Sequence, residues 1–181
     1  MDSRLERIPR QSLPTDKLKL GFAVAAAAYF LWAAAHPDSW RLIDGVNLVI
    51  HEAGHVVFRP FGEFLTIAGG SLFQVIVPAV FAGYFYFNGQ PYSCALVLFW
   101  AGESLLYVSV YAADSVAMQL PLLGGDNSIH DWNYMLDRLG LLRQTASISF
   151  FIRALGTLVI IFATVWTIHA ALRPAKLEDE R

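Results

Sequence analysis

Residues 64–102 read FLTIAGGSLFQVIVPAVFAGYFYFNGQPYSCALVLFWAG, a run with no Asp, Glu, Lys or Arg. A bilayer's hydrocarbon core takes about 20 apolar residues per helix. The run therefore holds one span up to Phe87 and the start of another after the turn signal Asn88-Gly89-Gln90-Pro91. Charge is equally absent from Leu20 to Pro37 and from Ala154 to Leu172. The whole chain is 56% hydrophobic and 15% charged, with mean hydropathy +0.47. A soluble domain carries about 25% charge, so a single soluble domain is excluded. A net charge of −2 and an isoelectric point near 6.2 give no basic field for nucleic acid. The single cysteine, Cys94, lies in an apolar run and can form neither an internal disulfide nor a thiolate cage. The expected fold class is an all-α integral membrane protein, a polytopic bundle of about five transmembrane helices.

Three parts follow along the chain. Residues 1–19 form a polar arm with Arg4, Arg7, Arg10, Lys17 and Lys19; residues 20–172 form the bundle, including a polar loop at 120–145; residues 173–181 are a charged tail. The spans are expected at Leu18 to Ala35, from a cap at Asp38 or Ser39 to Phe58, Gly70 to Phe87, Tyr92 to Gln119, and Ser147 to Leu172. Pro60 and Gly62 stop the second, and a short amphipathic helix lies at Asp131 to Leu139. Ala33-Ala34-Ala35 also has the form of a signal-peptide cleavage site, but the basic arm is long for an n-region. With the N-terminus inside, eight Lys and Arg near the spans fall in the cytoplasm and four outside. This bias predicts a cytoplasmic N-terminus in a cell (inner) membrane of bacterial type, with the C-terminal side left open.

Within the second span stands His51-Glu52-Ala53-Gly54-His55, an HExxH motif. Residues four apart share a helix face, so both imidazoles can ligate one metal ion. Glu52 lies beside them, placed to take a proton from a water that zinc has acidified. Asp44, Asn47, His51 and His55 recur at spacings of three, four and four, forming one polar stripe along an apolar helix. Ionisable groups inside a span are costly and mark function; the competing reading is a stripe that only hydrogen-bonds neighbouring helices.

On these residues the chain resembles the site-2-protease-like intramembrane zinc metalloproteases, peptidase family M50, as a divergent and compact branch. HEAGH at 51–55 carries the resemblance. Gly69-Gly70-Ser71-Leu72-Phe73-Gln74 is similar to a variant of that family's Gly-Pro-x-x-Asn element, with Ser71 in place of Pro and Gln74 in place of Asn. The resemblance extends loosely to Asp114. The family's Asn-x-x-Pro…Leu-Asp-Gly element, whose Asp is the third zinc ligand, has no counterpart, and no PDZ-like insertion is present. The resemblance implies Zn²⁺ as cofactor and, as substrate, a membrane-spanning segment of another protein cut within or near the lipid bilayer.

A catalytic zinc needs a third protein ligand and an open position. Asp114 is one candidate, on a stripe with Glu103, Tyr107 and Tyr111, and is the positional analogue of the family Asp. His130 is the other, in a loop where Gly124 and Gly125 let the backbone fold back. His130 is favoured as ligand, with Asp114 then a hydrogen-bond partner of a ligating histidine. Asp131 is read as structural, in a Ser128-x-x-Asp131 capping box. Glu103 is read as a buried hydrogen-bonding group, Arg153 as snorkelling to the interface, and the tryptophans as interface anchors or packing. The expected function is a zinc-dependent intramembrane metalloendopeptidase with His51, His55 and His130 on the metal and Glu52 as general base. The alternative is a non-proteolytic membrane metal-binding or metal-transport protein using the same histidines, with Asp44, Glu103 and Asp114 as an ion path.

Overall fold

The computed structural model describes residues 17–123 and 129–173. The expectations for most of the basic arm, for Gly124 and Gly125, for Ser128 and for the charged tail lie outside these residues. Six α-helices follow in order: α1 Lys17–Ala35, α2 Leu42–Phe58, α3 Glu63–Phe87, α4 Pro91–Ala113, α5 Asp131–Arg138 and α6 Thr145–Leu172. Short 3₁₀ turns at Arg59–Phe61 and Leu142–Gln144 precede α3 and α6. No strand occurs among the described residues.

The all-α membrane bundle is as expected, but four helices rather than five are long and apolar enough to cross a membrane: α1, α3, α4 and α6 with its preceding turn. The difference is α2. It has 17 residues, roughly 25 Å at 1.5 Å per residue, short of a hydrocarbon core of about 30 Å. It is also inverted relative to a helix in water. Its buried residues are Asp44, Asn47, His51 and Gly54, while Leu42, Val49 and Val56 are 85%, 70% and 71% exposed. A helix with polar groups inward and valines outward suits a surrounding of lipid. The outer face of α6 agrees, with Phe150, Phe151, Leu158 and Val165 exposed.

Element boundaries differ from expectation in three places. α2 begins at Leu42, not at Asp38 or Ser39, because Asp44 reaches back from the first turn to accept the Arg41 backbone N–H at 2.6 Å. α4 ends at Ala113, not Gln119, because the Asp114 carboxylate accepts the backbone N–H groups of Gln119 and Leu120 at 2.9 Å each, folding the chain over. α3 begins at Glu63, immediately after Gly62 turns the chain at φ +94°, which puts Gly69 and Gly70 inside the helix rather than at its start.

The apolar core lies between α1, α4 and α6, around Phe99, Leu106, Ile160, Ala27 and Ala163. Phe30 stacks on Phe99 with ring centroids 5.0 Å apart. α4 packs most extensively on α6, and α2 on α3. Without a hydrophobic drive between helices in lipid, close packing of small residues does this work. Gly102 and Gly156 face one another so closely that a Cβ on Gly156 would stand 2.8 Å from the Gly102 carbonyl oxygen. Gly156→Ala is therefore expected to push α6 off α4 and cost about 1–3 kcal/mol, read by denaturant unfolding in detergent micelles. Gly83→Ala, whose added Cβ meets nothing within 4 Å, should leave the midpoint unchanged or raised.

Candidate metal centre

The glycines of α2 and α3 determine where the histidines sit. A Cβ on Gly54 would collide with the Gly69 carbonyl oxygen, so the two helices meet backbone to backbone at this level. One turn away, the His51 ring lies flat on Gly70, where an added Cβ would come within 2.5 Å of Nε2. The Gly54 inside HEAGH and the Gly69-Gly70 pair are thus two halves of one contact. It leaves a slot one imidazole thick.

Each histidine is oriented from behind. His55 Nδ1 lies 2.9 Å from the Thr66 carbonyl oxygen, which can only accept, so Nδ1 carries the hydrogen. His51 Nδ1 lies 3.2 Å from Gln74 Oε1. The Gln74 amide in turn donates to the Ser104 carbonyl oxygen at 3.2 Å, which fixes its oxygen toward His51. Both rings therefore present Nε2 forward. Buried ligating histidines are held this way through the second nitrogen.

Both Nε2 atoms converge on a single carboxylate. Asp131 Oδ2 stands 2.8 Å from His51 Nε2 and 3.3 Å from His55 Nε2. With hydrogen on both Nδ1 atoms, two lone pairs face an anionic oxygen. A proton or a cation between them resolves that clash, and two imidazoles with one carboxylate are a zinc-type donor set. When a proton takes that place, the imidazoles donate to Asp131 and, against the upward push of burial, hold its carboxyl below its ordinary value. His51, Glu52 and His55 place one potential ligand atom each within 4.8 Å of one another. Glu52 is exposed, and lines two adjoining cavities of about 240 and 180 Å³ together with His51 and Tyr111.

His130 is not among the converging groups. It is the N-cap of α5: Nδ1 accepts the Asn133 backbone N–H at 3.2 Å, and Nε2 faces Asp114 Oδ2 at 3.3 Å. Both ring nitrogens are thereby engaged. Asp114 is turned toward His130 and the backbone of Gln119 and Leu120, so neither sequence candidate for the third position meets the histidine pair. The neighbour read as structural, Asp131, does. Spacing alone leaves the inward face of α5 open; what turns Asp131 inward is Met135, four residues on and on the same face, buried against Ile67 and Ala68 of α3. The α5 helix is fixed by Trp132 Nε1 to Ser71 Oγ at 3.0 Å, Asn133 Nδ2 to the Ser115 carbonyl at 2.8 Å, and the Asp131 N–H to the Tyr111 hydroxyl at 3.1 Å.

Comparison of the chain with family models, with curated proteins and with solved structures finds no match.

The rest of the polar stripe is paired away from the centre. Asn47 donates to Glu103 Oε2 at 2.6 Å and accepts from Trp100 Nε1 at 2.8 Å and Ser104 Oγ at 3.2 Å. Arg41 lies 3.3 Å from Asp44 and 3.5 Å from Glu103. These groups knit α2 to α4 and stand in line behind Gln74 and His51. Gly70→Ala is expected to turn the His51 ring out of its slot and weaken metal binding by about 10–100-fold or more. Competition with a chromophoric chelator measures it, with the unfolding midpoint checking that the bundle survives.

Proposed function

We propose that this chain is a membrane-embedded zinc metalloendopeptidase in which His51, His55 and Asp131 hold the metal and Glu52 is the general base. The observation that carries the reading is the meeting of two histidine Nε2 atoms with the Asp131 carboxylate beside Glu52 at a cavity. The HEAGH resemblance to the site-2-protease-like enzymes supports it. In that family the third ligand comes from another sequence element; here a short helix outside the long spans takes the place.

Zinc bound by these three side chains would supply Lewis acidity, bringing the pKa of a water to about 7. Glu52 would take a proton from the attacking water as its oxygen adds to the scissile carbonyl carbon, and then give that proton to the leaving amine. The Thr66 carbonyl and Gln74 keep the histidines in the tautomer that leaves Nε2 free. The cavities admit water to a site whose helices are sheathed in apolar side chains, which hydrolysis inside a bilayer requires. The substrate is then a membrane-spanning segment of another protein, and the charge bias of the sequence favours a cytoplasmic N-terminus.

A metal carrier would need its buried carboxyls available along a path. Asp44 and Glu103 are tied to Arg41 and Asn47, and Asp114 to the backbone at residues 119–120. Those pairings weigh toward hydrolysis.

Zinc titration separates the ligand candidates. Asp131→Ala, like His51→Ala, should abolish stoichiometric zinc, whereas His130→Ala should weaken it by about 10–100-fold by loosening α5. Zinc retained by Asp131→Ala but lost from His130→Ala would return the third position to the histidine. Glu52→Gln should bind zinc as the wild type does and lose cleavage of a membrane-spanning test substrate by about 10²–10⁴-fold.

A further inference from the structure

The geometry points to Tyr111 as a further catalytic residue, its hydroxyl donating a hydrogen bond to the carbonyl oxygen of the scissile peptide as negative charge develops there; this rests on the metalloendopeptidase reading above. Tyr111 is on α4, half-buried, with its ring against His51 at 5.7 Å and His130 at 4.5 Å between centroids. It lines both cavities, as His51 and Glu52 do. Tyr107, one turn earlier, lines only the larger one.

The hydroxyl is aimed by what it accepts. Its oxygen takes the Asp131 backbone N–H at 3.1 Å, so the phenol is fixed by the same residue whose carboxylate faces both histidines. The hydroxyl hydrogen has no acceptor among the described residues. A phenol has one O–H to donate besides its accepting lone pairs. The Tyr111 side chain therefore offers a donor in a cavity that His51, Glu52, His55 and Asp131 also line.

That is the requirement for stabilising a tetrahedral adduct. As water oxygen adds to the carbonyl carbon, the C=O π pair moves onto the carbonyl oxygen and Glu52 holds the water's proton. The Tyr111 O–H hydrogen-bonds the new oxyanion without giving up its proton. The adduct then collapses, the C–N bond breaks, and Glu52 protonates the amine. A donor fixed before the reaction works where charge appears and costs little reorganisation, and removing one such donor lowers kcat by about 10²–10³-fold.

The test compares Tyr111→Phe with wild-type protein in detergent micelles, both zinc-loaded. Two zinc-directed probes of one peptide sequence are titrated by calorimetry. A phosphinic peptide carries an oxygen where the oxyanion forms; a mercaptoacyl peptide carries none. The expected result is unchanged zinc affinity, unchanged affinity for the mercaptoacyl peptide, and loss of about 10²-fold for the phosphinic peptide. Tyr84→Phe, on the lipid-exposed surface, should match wild type with both probes. Equal affinity of Tyr111→Phe for the phosphinic peptide overturns the inference. A parallel loss with both probes, or loss of zinc, also overturns it, because Tyr111 would then act through the placement of Asp131. If zinc-loaded wild type binds neither probe and cleaves no membrane substrate, the peptidase reading itself fails.

Discussion

A polar group inside a bilayer must find its hydrogen-bond partner within the protein, since an unpaired one costs several kcal/mol. The polar contacts of α2 follow from its polar side being turned inward. Arg41, Asp44, Asn47 and His51 are each at most 5% exposed. Their partners come from other helices or the preceding turn: Gln74 from α3, Trp100, Glu103 and Ser104 from α4, Asp131 from α5, and the carbonyls of Ala33, His36 and Pro37 for the Arg41 guanidinium. The stripe thereby does for this side of the bundle what interdigitated apolar side chains do between α4 and α6. It also demands one arrangement, because sliding α2 by a turn would leave most of these groups without partners.

The glycine contact between α2 and α3 makes that arrangement compact enough to be chemical. Side chains at Gly54 or Gly69 would hold the helices apart by the thickness of a methyl group at least. The His51 ring would then lose both its slot over Gly70 and its bond to Gln74. In this sense the glycine inside HEAGH is as much part of the site as the histidines. Its role is to remove bulk, so that the imidazole rings fit where they lie.

The inward stripe and the two histidines were legible because helical periodicity places them on one face, and the glutamate because it stands inside HExxH. The helix class and the long spans were legible from missing charge. What periodicity could not supply was the rotational register of a short helix whose start is set by a cap. A step of one residue turns a helix by about 100°, enough to exchange His130 for Asp131 at the site. The Ser128-x-x-Asp131 spacing of a capping box favours Asp131 as a structural residue. Docking overrides that preference: Met135 must be buried on Ile67 and Ala68, so Asp131 points inward and the cap falls to His130. The extent of α3 was missed for a related reason. Gly69 and Gly70 read as a helix start, whereas their lack of side chains serves the approach of α2.

The third position has a consequence for how such a site assembles. The α5 helix has eight residues, too few to be helical alone, since isolated helices shorter than about 12–15 residues are marginal in water. Its helicity depends on docking, through Met135 and the bonds to Ser71, Tyr111 and Ser115. A metal held by His51, His55 and Asp131 adds one more bond between α5 and α2, two elements with little other contact. Binding the metal and docking the helix are then linked equilibria, and each must favour the other by the same factor. His130 and Asp114, which touch neither His51 nor His55, would act on such a metal through that link alone. Their pairing sets how much of the α5 population is already in place when the metal arrives.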